Sequence, residues 1–219
     1  MTRAPRYQTV LFDLDGTLVD SIELILASHR HATLEVLGAS PSDDVLRRGI
    51  GVPLLTQMRT LDLERADELV TAYRSFNRAN HDALLRPYEG LLELCRSLHE
   101  DGAVLGVVTS KSLPVVEMAF ALIDFAPLLD VVVTQEQTTQ HKPHPAPIYA
   151  ALEQLSAPSS GACYVGDSPY DLQAGTAAGV DAIGVTWGAF SADELRPESP
   201  VALVHTPGQL AEVLYGREG

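Results

Sequence analysis

The spacing of the apolar residues changes along the chain and marks out its organisation. A short apolar run at Thr9–Asp13 is rich in strand-forming residues and ends abruptly at an aspartate, which predicts a buried β-strand. From residue 21 to residue 86 the apolar residues recur at helical spacing, as Leu69, Tyr73 and Phe76 do, and no convincing strand interrupts them. This stretch therefore predicts a series of consecutive helices.

The first of these helices has a start and a stop signal. Asp20 is a candidate N-cap with Glu23 three residues later, as in a capping box, and Gly38 suits the C-terminal end. The other helices predicted before Pro87 are Ser42–Arg48, Pro53–Leu61 and Glu64–Leu85.

After Pro87 the pattern alternates between short apolar strands and helices. The predicted strands are Val104–Val108, Val131–Thr134, Ala162–Val165, Ala182–Val185 and Leu203–Val204. The predicted helices are Tyr88–Glu100, Pro114–Ile123, Ala146–Leu155, Pro169–Ala178 and Gln209–Leu214. Such alternation predicts a parallel sheet with helices on both faces, and the near-continuous apolar strands fit burial on both sides.

The predicted fold class is therefore α/β, with a doubly wound, Rossmann-like parallel sheet as its core. The helical stretch is an insert after the first strand, and we expect it to form a cap. On this interpretation the core consists of residues 1–20 and 87–219, and the cap consists of residues 21–86.

Composition narrows the class of protein. The 219 residues suffice for one large domain or for a domain with an insert, and 46% of them are apolar, which allows a sizeable core. The 15 basic and 29 acidic residues give a net charge of −14, which argues against nucleic acid or a membrane surface as a partner. The sequence shows no signal-like or membrane-spanning run, so we expect a cytoplasmic protein. It does not indicate the oligomeric state.

Two aspartates lie at the carboxyl end of the first predicted strand. Residues i and i+2 of a strand point to the same side, so Asp13 and Asp15 should leave the strand together, and Gly16 allows a sharp turn there. Ligands of open α/β sheets bind at the carboxyl ends of the strands. Two carboxylates at that edge are costly unless a cation or a proton is shared between them.

Other polar residues follow later strands and could converge on the same edge of the sheet. Thr109 and Asp167 end two of the predicted strands, Asp171 follows closely, and Lys142 lies in a connection between strands. Each has an ordinary explanation when taken alone: a strand-end hydroxyl, a helix cap or a solvated loop lysine. Together they suit phosphoryl transfer, because Mg²⁺ prefers carboxylate oxygens and a phosphoryl group needs a hydroxyl and a lysine around it.

Four motifs in order resemble those of the haloacid dehalogenase superfamily of phosphohydrolases. Asp13–Ser21, with the sequence DLDGTLVDS, resembles the first motif and Thr109 in VVTSK the second. Lys142-Pro143 resembles the third motif, and Gly166–Asp171, followed by two Ala-Gly pairs, resembles the fourth. The insert is similar to the helical cap of the phosphoglycolate phosphatase-like group. Its segments Glu23–Ser28, Ile50–Leu54 and Thr71–Asp82 are similar to the bacterial pyrophosphatase branch of that group.

The resemblance implies roles for these residues. Asp13 would attack phosphorus and form an aspartyl-phosphate, while Asp15 would act as general acid and base. Phosphate binding would fall to Thr109, Ser110 and Lys142. Mg²⁺ would be held by Asp13, by the backbone carbonyl of Asp15 and by Asp167, with Asp171 in support.

The resemblance favours inorganic pyrophosphate as the substrate of a Mg²⁺-dependent phosphohydrolase. A phosphoglycolate phosphatase or another small phosphomonoesterase is the alternative, and a phosphomutase stays open. A haloacid dehalogenase fits less well because that family lacks the second acid, and a phospho-accepting receiver module is shorter and has no helical insert. For a small anion we expect positive or amide groups of the cap to face the site. Arg47, Arg48 and the glycine-flanked turn at Gly51 are the nearest candidates.

Overall fold

The computed structural model describes residues 4–216. Its strands are β1 (Thr9–Phe12), β2 (Val19–Asp20), β3 (Arg86–Pro87), β4 (Val104–Val108), β5 (Val131–Val133), β6 (Ala162–Gly166), β7 (Asp181–Val185) and β8 (Ala202–Val204). Its helices are α1 (Ile22–Leu37), α2 (Asp43–Arg47), α3 (Leu54–Leu61), α4 (Ala66–Leu84), α5 (Leu91–Glu100), α6 (Leu113–Leu122), α7 (Ala146–Leu155), α8 (Pro169–Ala178), α9 (Ala192–Leu195) and α10 (Pro207–Tyr215). Within the described range, no helix combines the length and the apolar character needed to cross a membrane.

Six of the strands form one parallel sheet in the order β5-β4-β1-β6-β7-β8. From β1 at the centre the chain moves to β4 and β5 on one side, then crosses to β6, β7 and β8 on the other. The carboxyl end of β1 therefore lies at the point where the winding direction reverses, which is where doubly wound sheets bind ligands. The predicted fold class is confirmed.

Both faces of the sheet are buried, and the alternation along β1 shows why. Val10 and Phe12 belong to one apolar cluster, whereas Leu11 belongs to another. Successive side chains of a strand point to opposite faces, so a strand with helices on both sides is apolar at every position. This is the pattern that the sequence showed.

The helices α1 to α4 lie between β2 and β3, which pair antiparallel with each other. α1 and α3 pack against α4 around buried residues such as Met58 and Leu69. The proposed division into a core of residues 1–20 and 87–219 and a cap of residues 21–86 stays a prediction, and the β2–β3 pair lies at both of its boundaries.

The start of α1 differs from the prediction. Asp20 does not cap the helix, because it lies in β2 opposite Arg86. Ser21 occupies the N-cap position, yet its hydroxyl donates to Asp15 and accepts no hydrogen bond from the N–H groups of the helix. The predicted end at Gly38 is confirmed: Gly38 has φ of 76° and its N–H donates to the Leu34 carbonyl.

Candidate active site

Four of the predicted site residues meet at the carboxyl edge of the sheet. Asp13 follows β1 directly, and its backbone N–H continues the ladder to the Val165 carbonyl of β6 at 2.8 Å. Its carboxylate lies beside Lys142, Asp167 and Asp171, and all four side chains are buried. The topology thus brings together residues that are far apart in the sequence.

Lys142 forms ion pairs with two of these carboxylates. Its ammonium group donates to Asp13 Oδ1 at 2.8 Å, to Asp171 Oδ1 at 2.6 Å and to the hydroxyl of Tyr164 at 3.0 Å. The peptide bond between Lys142 and Pro143 is cis. Since an ammonium group has three N–H donors, each one has an acceptor in the protein.

Tyr164 is a site residue that the sequence analysis missed. It lies in β6, its side chain is fully buried, and its hydroxyl donates to the Val108 carbonyl at 2.8 Å while accepting from Lys142. The sequence did contain a signal for Tyr164, since it is a tyrosine in an otherwise apolar strand. A buried tyrosine hydroxyl usually needs a hydrogen-bond partner, so its presence there indicates polar groups nearby.

Asp171 is fixed by the helix that carries it. It is the third residue of α8 and forms a capping box with Ser168, whose backbone N–H and hydroxyl both donate to Asp171 Oδ2. Its other oxygen, Oδ1, accepts from Lys142. Both oxygens of Asp171 therefore have protein partners, which suits a supporting role better than a direct metal contact.

Asp167 is held where two glycines allow close approach. Its Oδ2 accepts the Ala189 N–H at 2.6 Å. A Cβ atom at Gly16 or at Gly188 would lie 2.2 Å from this oxygen, so neither position tolerates a side chain. Gly16 also has φ of 73°, which supports the turn that directly follows Asp15.

The charge balance of this cluster favours a cation. Ligand atoms of Asp13, Asp167 and Asp171 lie within 4.8 Å of one another. Burial raises the pKa of Asp13 to about 7, with Lys142 acting in the opposite direction, and burial together with Asp171 raises the pKa of Asp167 well above its usual value. Three buried carboxylates against one lysine leave an excess of negative charge, and hard oxygen donors are the ligands that Mg²⁺ prefers.

Asp15 lies apart from this cluster and has its own partners. Its Oδ1 accepts from the Ser21 hydroxyl at 2.5 Å and lies 3.1 Å from Lys111 Nζ. Lys111 was not predicted as a site residue, although it directly follows Thr109 and Ser110 in the second motif.

A cavity of about 360 Å³ opens in front of these groups, between the sheet edge and the cap. Five predicted residues line it: Asp13, Asp15, Thr109, Ser110 and Gly51. The Ser110 hydroxyl donates to the Gly51 carbonyl at 2.7 Å, so this contact joins the core to the cap beside the cavity.

Arg47 and Arg48 do not line the cavity, contrary to expectation. Arg47 donates to the Ala189 carbonyl and forms an ion pair with Glu194 at 2.9 Å. Its positive charge is therefore balanced at the contact between α2 and the core and does not face the cavity. The side chain of Arg48 is exposed. The cap arginines that line the cavity are Arg74 and Arg78 of α4.

Comparison with known proteins agrees with this architecture. The model of a family described as haloacid dehalogenase-like hydrolase matches residues 10–185. Pyrophosphatase PpaX of Anoxybacillus flavithermus is 35% identical over 206 residues, covering 94% of this chain and 96% of the relative. Pyrophosphatase PpaX of Bacillus velezensis is 37% identical over 210 residues, covering 95% and 96%. The crystal structure of a predicted phosphatase from Clostridium acetobutylicum superposes with a TM-score of 0.84 at 29% identity, covering 94% of this chain and 97% of the other.

Proposed function

Because this chain belongs to the haloacid dehalogenase-like hydrolases and is a phosphatase of that family, we propose that it is a Mg²⁺-dependent phosphohydrolase that acts through an aspartyl-phosphate. The observation that carries the proposal is the position of Asp13. Asp13 directly follows the central strand, and its carboxylate lines the cavity and is held by Lys142 through one oxygen. Within residues 4–216 no hydrogen bond is made to the other oxygen, Oδ2, which is therefore the atom that attacks phosphorus.

The neighbouring residues would support that attack. Lys142 donates to Oδ1 of Asp13 and lowers the pKa of this buried carboxyl, which favours its ionised form. Asp15, which also lines the cavity, protonates the leaving oxygen and later takes a proton from the attacking water. The hydroxyl of Thr109 and the backbone around Ser110 offer donors to the phosphoryl oxygens.

Mg²⁺ fits the donor set described above. Asp13, Asp167 and the backbone carbonyl of Asp15 would hold the ion, and Asp171 would support it by fixing Lys142. When bound, Mg²⁺ supplies positive charge beside the transferring phosphoryl group and relieves the repulsion among the carboxylates.

Inorganic pyrophosphate is the proposed substrate. Two observations support it: the related proteins named pyrophosphatase, and the presence of Gln57, Asn77, Arg74 and Arg78 on the cap side of the cavity. Such amide and guanidinium groups suit the second phosphate of a pyrophosphate. A phosphoglycolate phosphatase or another small phosphomonoesterase is the alternative, and a cytoplasmic location remains a prediction.

The test is phosphate release by the purified chain, with Mg²⁺, from pyrophosphate, phosphoglycolate, a hexose phosphate and a nucleotide. We expect the highest kcat/KM for pyrophosphate. A strong preference for the hexose phosphate or the nucleotide would reject the small-anion substrate and leave the chemistry at Asp13 intact. Full activity of an Asp13→Asn variant would reject the chemistry as well.

A further inference from the structure

One part of the cavity wall is apolar, and inorganic pyrophosphate has no atoms that need it. Helix α6 turns Val115 and Met118 toward the cavity while Val116 packs into the core. Val52 and Leu54 of the cap line the cavity as well. The side chains of Val115 and Met118 are only partly buried by the protein itself, so they can contact a ligand.

Two cations line the cavity from α4. Arg74 and Arg78 are four residues apart, which places them one helical turn apart on the same face. Elsewhere in the cap, Arg30 and Arg65 form ion pairs with acidic residues. For Arg74 and Arg78 the described part of the chain provides no ion pair or hydrogen bond, so both guanidinium groups are available to an anion.

The size of the cavity also exceeds the needs of a minimal substrate. Its volume of about 360 Å³ lies in the range of pockets that bind small organic molecules. Such pockets combine an apolar lining with a few polar groups that fix the orientation of the ligand.

We propose that the same cavity also accepts phosphomonoesters whose leaving group has an apolar body and ends in an anionic group. Val115 and Met118 contact the apolar body, and Arg74 and Arg78 bind the terminal anion. The phosphate itself lies at Asp13, so this inference rests on the proposed phosphohydrolase function.

The reaction with such an ester balances without a further reactant. Oδ2 of Asp13 bonds to phosphorus while the ester P–O bond breaks, and the leaving oxygen takes a proton from Asp15. A water then bonds to phosphorus and gives a proton to Asp15 as the bond to Asp13 breaks. The products are inorganic phosphate and the free hydroxyl compound.

The anion contact is tested with two esters that share a ring, 4-carboxyphenyl phosphate and phenyl phosphate. We expect the double variant Arg74→Gln, Arg78→Gln to lose about tenfold more kcat/KM for the carboxylated ester than for phenyl phosphate, because charge-assisted hydrogen bonds contribute on that scale. The two leaving groups differ in intrinsic reactivity. This difference cancels because kcat/KM of the variant is divided by that of the wild type for each ester separately. Arg59→Gln is the matched control, since Arg59 is an exposed cap arginine that does not line the cavity.

The apolar contact is tested with Met118→Gln, which keeps the length of the side chain and makes it polar. We expect the ratio of kcat/KM for phenyl phosphate to that for pyrophosphate to fall by about fourfold, the scale of one or two buried carbon groups. A thermal unfolding curve of the variant checks that the fold is retained.

The outcomes separate the substrate class from the proposed function. Equal losses for the two esters in the arginine variant overturn the anion contact, and an unchanged ratio in the methionine variant overturns the apolar one. Hydrolysis of pyrophosphate without hydrolysis of either ester rejects the substrate class alone. If Asp13→Asn retains phosphate release, the proposed function fails and this inference fails with it.

Discussion

Lys111 Nζ lies 3.1 Å from Oδ1 of Asp15, the oxygen that also accepts the Ser21 hydroxyl. Lys111 comes from the loop after β4, and Ser21 precedes the first helix of the cap. Asp15 is therefore oriented by one donor from the core and one from the base of the cap. Because both donors meet Oδ1, the second oxygen, Oδ2, is the one that can exchange a proton with a leaving group.

This arrangement predicts a leaving-group effect for Asp15→Asn. An amide cannot act as a general acid, so substrates with poor leaving groups should lose most, by roughly 10²–10⁴-fold. The measurement is kcat/KM across aryl and alkyl phosphates of increasing leaving-group pKa, in which the variant should show the steeper dependence. Asp44→Asn, an exposed acid of α2, is the control. Equal losses across the series would instead indicate a role for Asp15 in the geometry of the metal site.

The nucleophile gives a second prediction. Asp13→Asn should reduce phosphate release by roughly a thousandfold or more, the scale on which an enzyme loses activity with its nucleophile. The wild-type protein, crystallised with beryllofluoride and Mg²⁺, should carry the adduct on the carboxylate of Asp13. An adduct on another residue, or a variant near wild-type activity, would contradict the assignment.

Much of the sheet could be predicted from the sequence because its strands are buried on both faces. Such strands are continuous apolar runs, and Val104–Val108 matches the structure at both ends. The helices Ala146–Leu155 and Pro169–Ala178 do so as well, since prolines and small or polar residues mark their ends. The strands β2 and β3 contain two residues each, so they are too short to show an alternation of apolar and polar residues.

The acidic part of the site was also predictable, whereas the cap contacts were not. Asp13 and Asp167 follow buried strands, and the topology of the sheet then forces them together. No comparable rule says which cap helix faces the site. Arg47 is close to the glycine turn in the sequence, but its partner Glu194 is 147 residues away and could not be foreseen.

The metal site gives a third prediction. Asp167→Asn should raise the Mg²⁺ concentration required for half-maximal activity by about 10–100-fold, because a neutral amide replaces a ligand in a buried site. Activity is measured against Mg²⁺ concentration, and binding is measured by calorimetry on the same samples. Asp130→Asn is the control, since Asp130 accepts the Leu105 N–H away from the cluster. Full turnover in the presence of a chelator would show that no metal is needed.

Tyr164 gives a fourth prediction. Tyr164→Phe removes the hydroxyl that accepts from Lys142 and donates to the Val108 carbonyl, so two buried polar groups lose a partner. The free energy of unfolding should fall by about 1–3 kcal/mol. Because Lys142 also becomes less firmly placed against Asp13, kcat should fall by a larger factor than KM rises.

Tyr149→Phe is the matched control for this measurement. Its hydroxyl donates to the Ala177 carbonyl from an exposed position on α7, away from the site. Urea denaturation and steady-state kinetics are run on both variants. A lower stability of Tyr164→Phe with unchanged kcat would mean that the hydroxyl supports only the fold.

The last prediction concerns the contact of Arg47 with Glu194, which ties α2 of the cap to the core. Arg47 donates to both carboxylate oxygens and, through these hydrogen bonds, lowers the pKa of Glu194 to about 2. A lowered carboxyl pKa adds stability above the ordinary pKa range of glutamate, and this contribution is lost as the pH falls through that range toward 2. Glu194→Gln should therefore be less stable than wild type at neutral pH, with a difference that shrinks in acid.

The size of this effect and its functional consequence are both measurable. Glu194 is partly exposed, so the loss at neutral pH should be about 0.2–1 kcal/mol in urea denaturation. A weaker contact between cap and core should also raise KM, because the cap side of the cavity is held less firmly over Asp13. Glu68→Gln is the control: its partner Arg65 lies three residues away within the cap, so that pair cannot tie the cap to the core. An equal rise in KM for both variants would show that general loss of surface charge, not the contact between α2 and the core, is responsible.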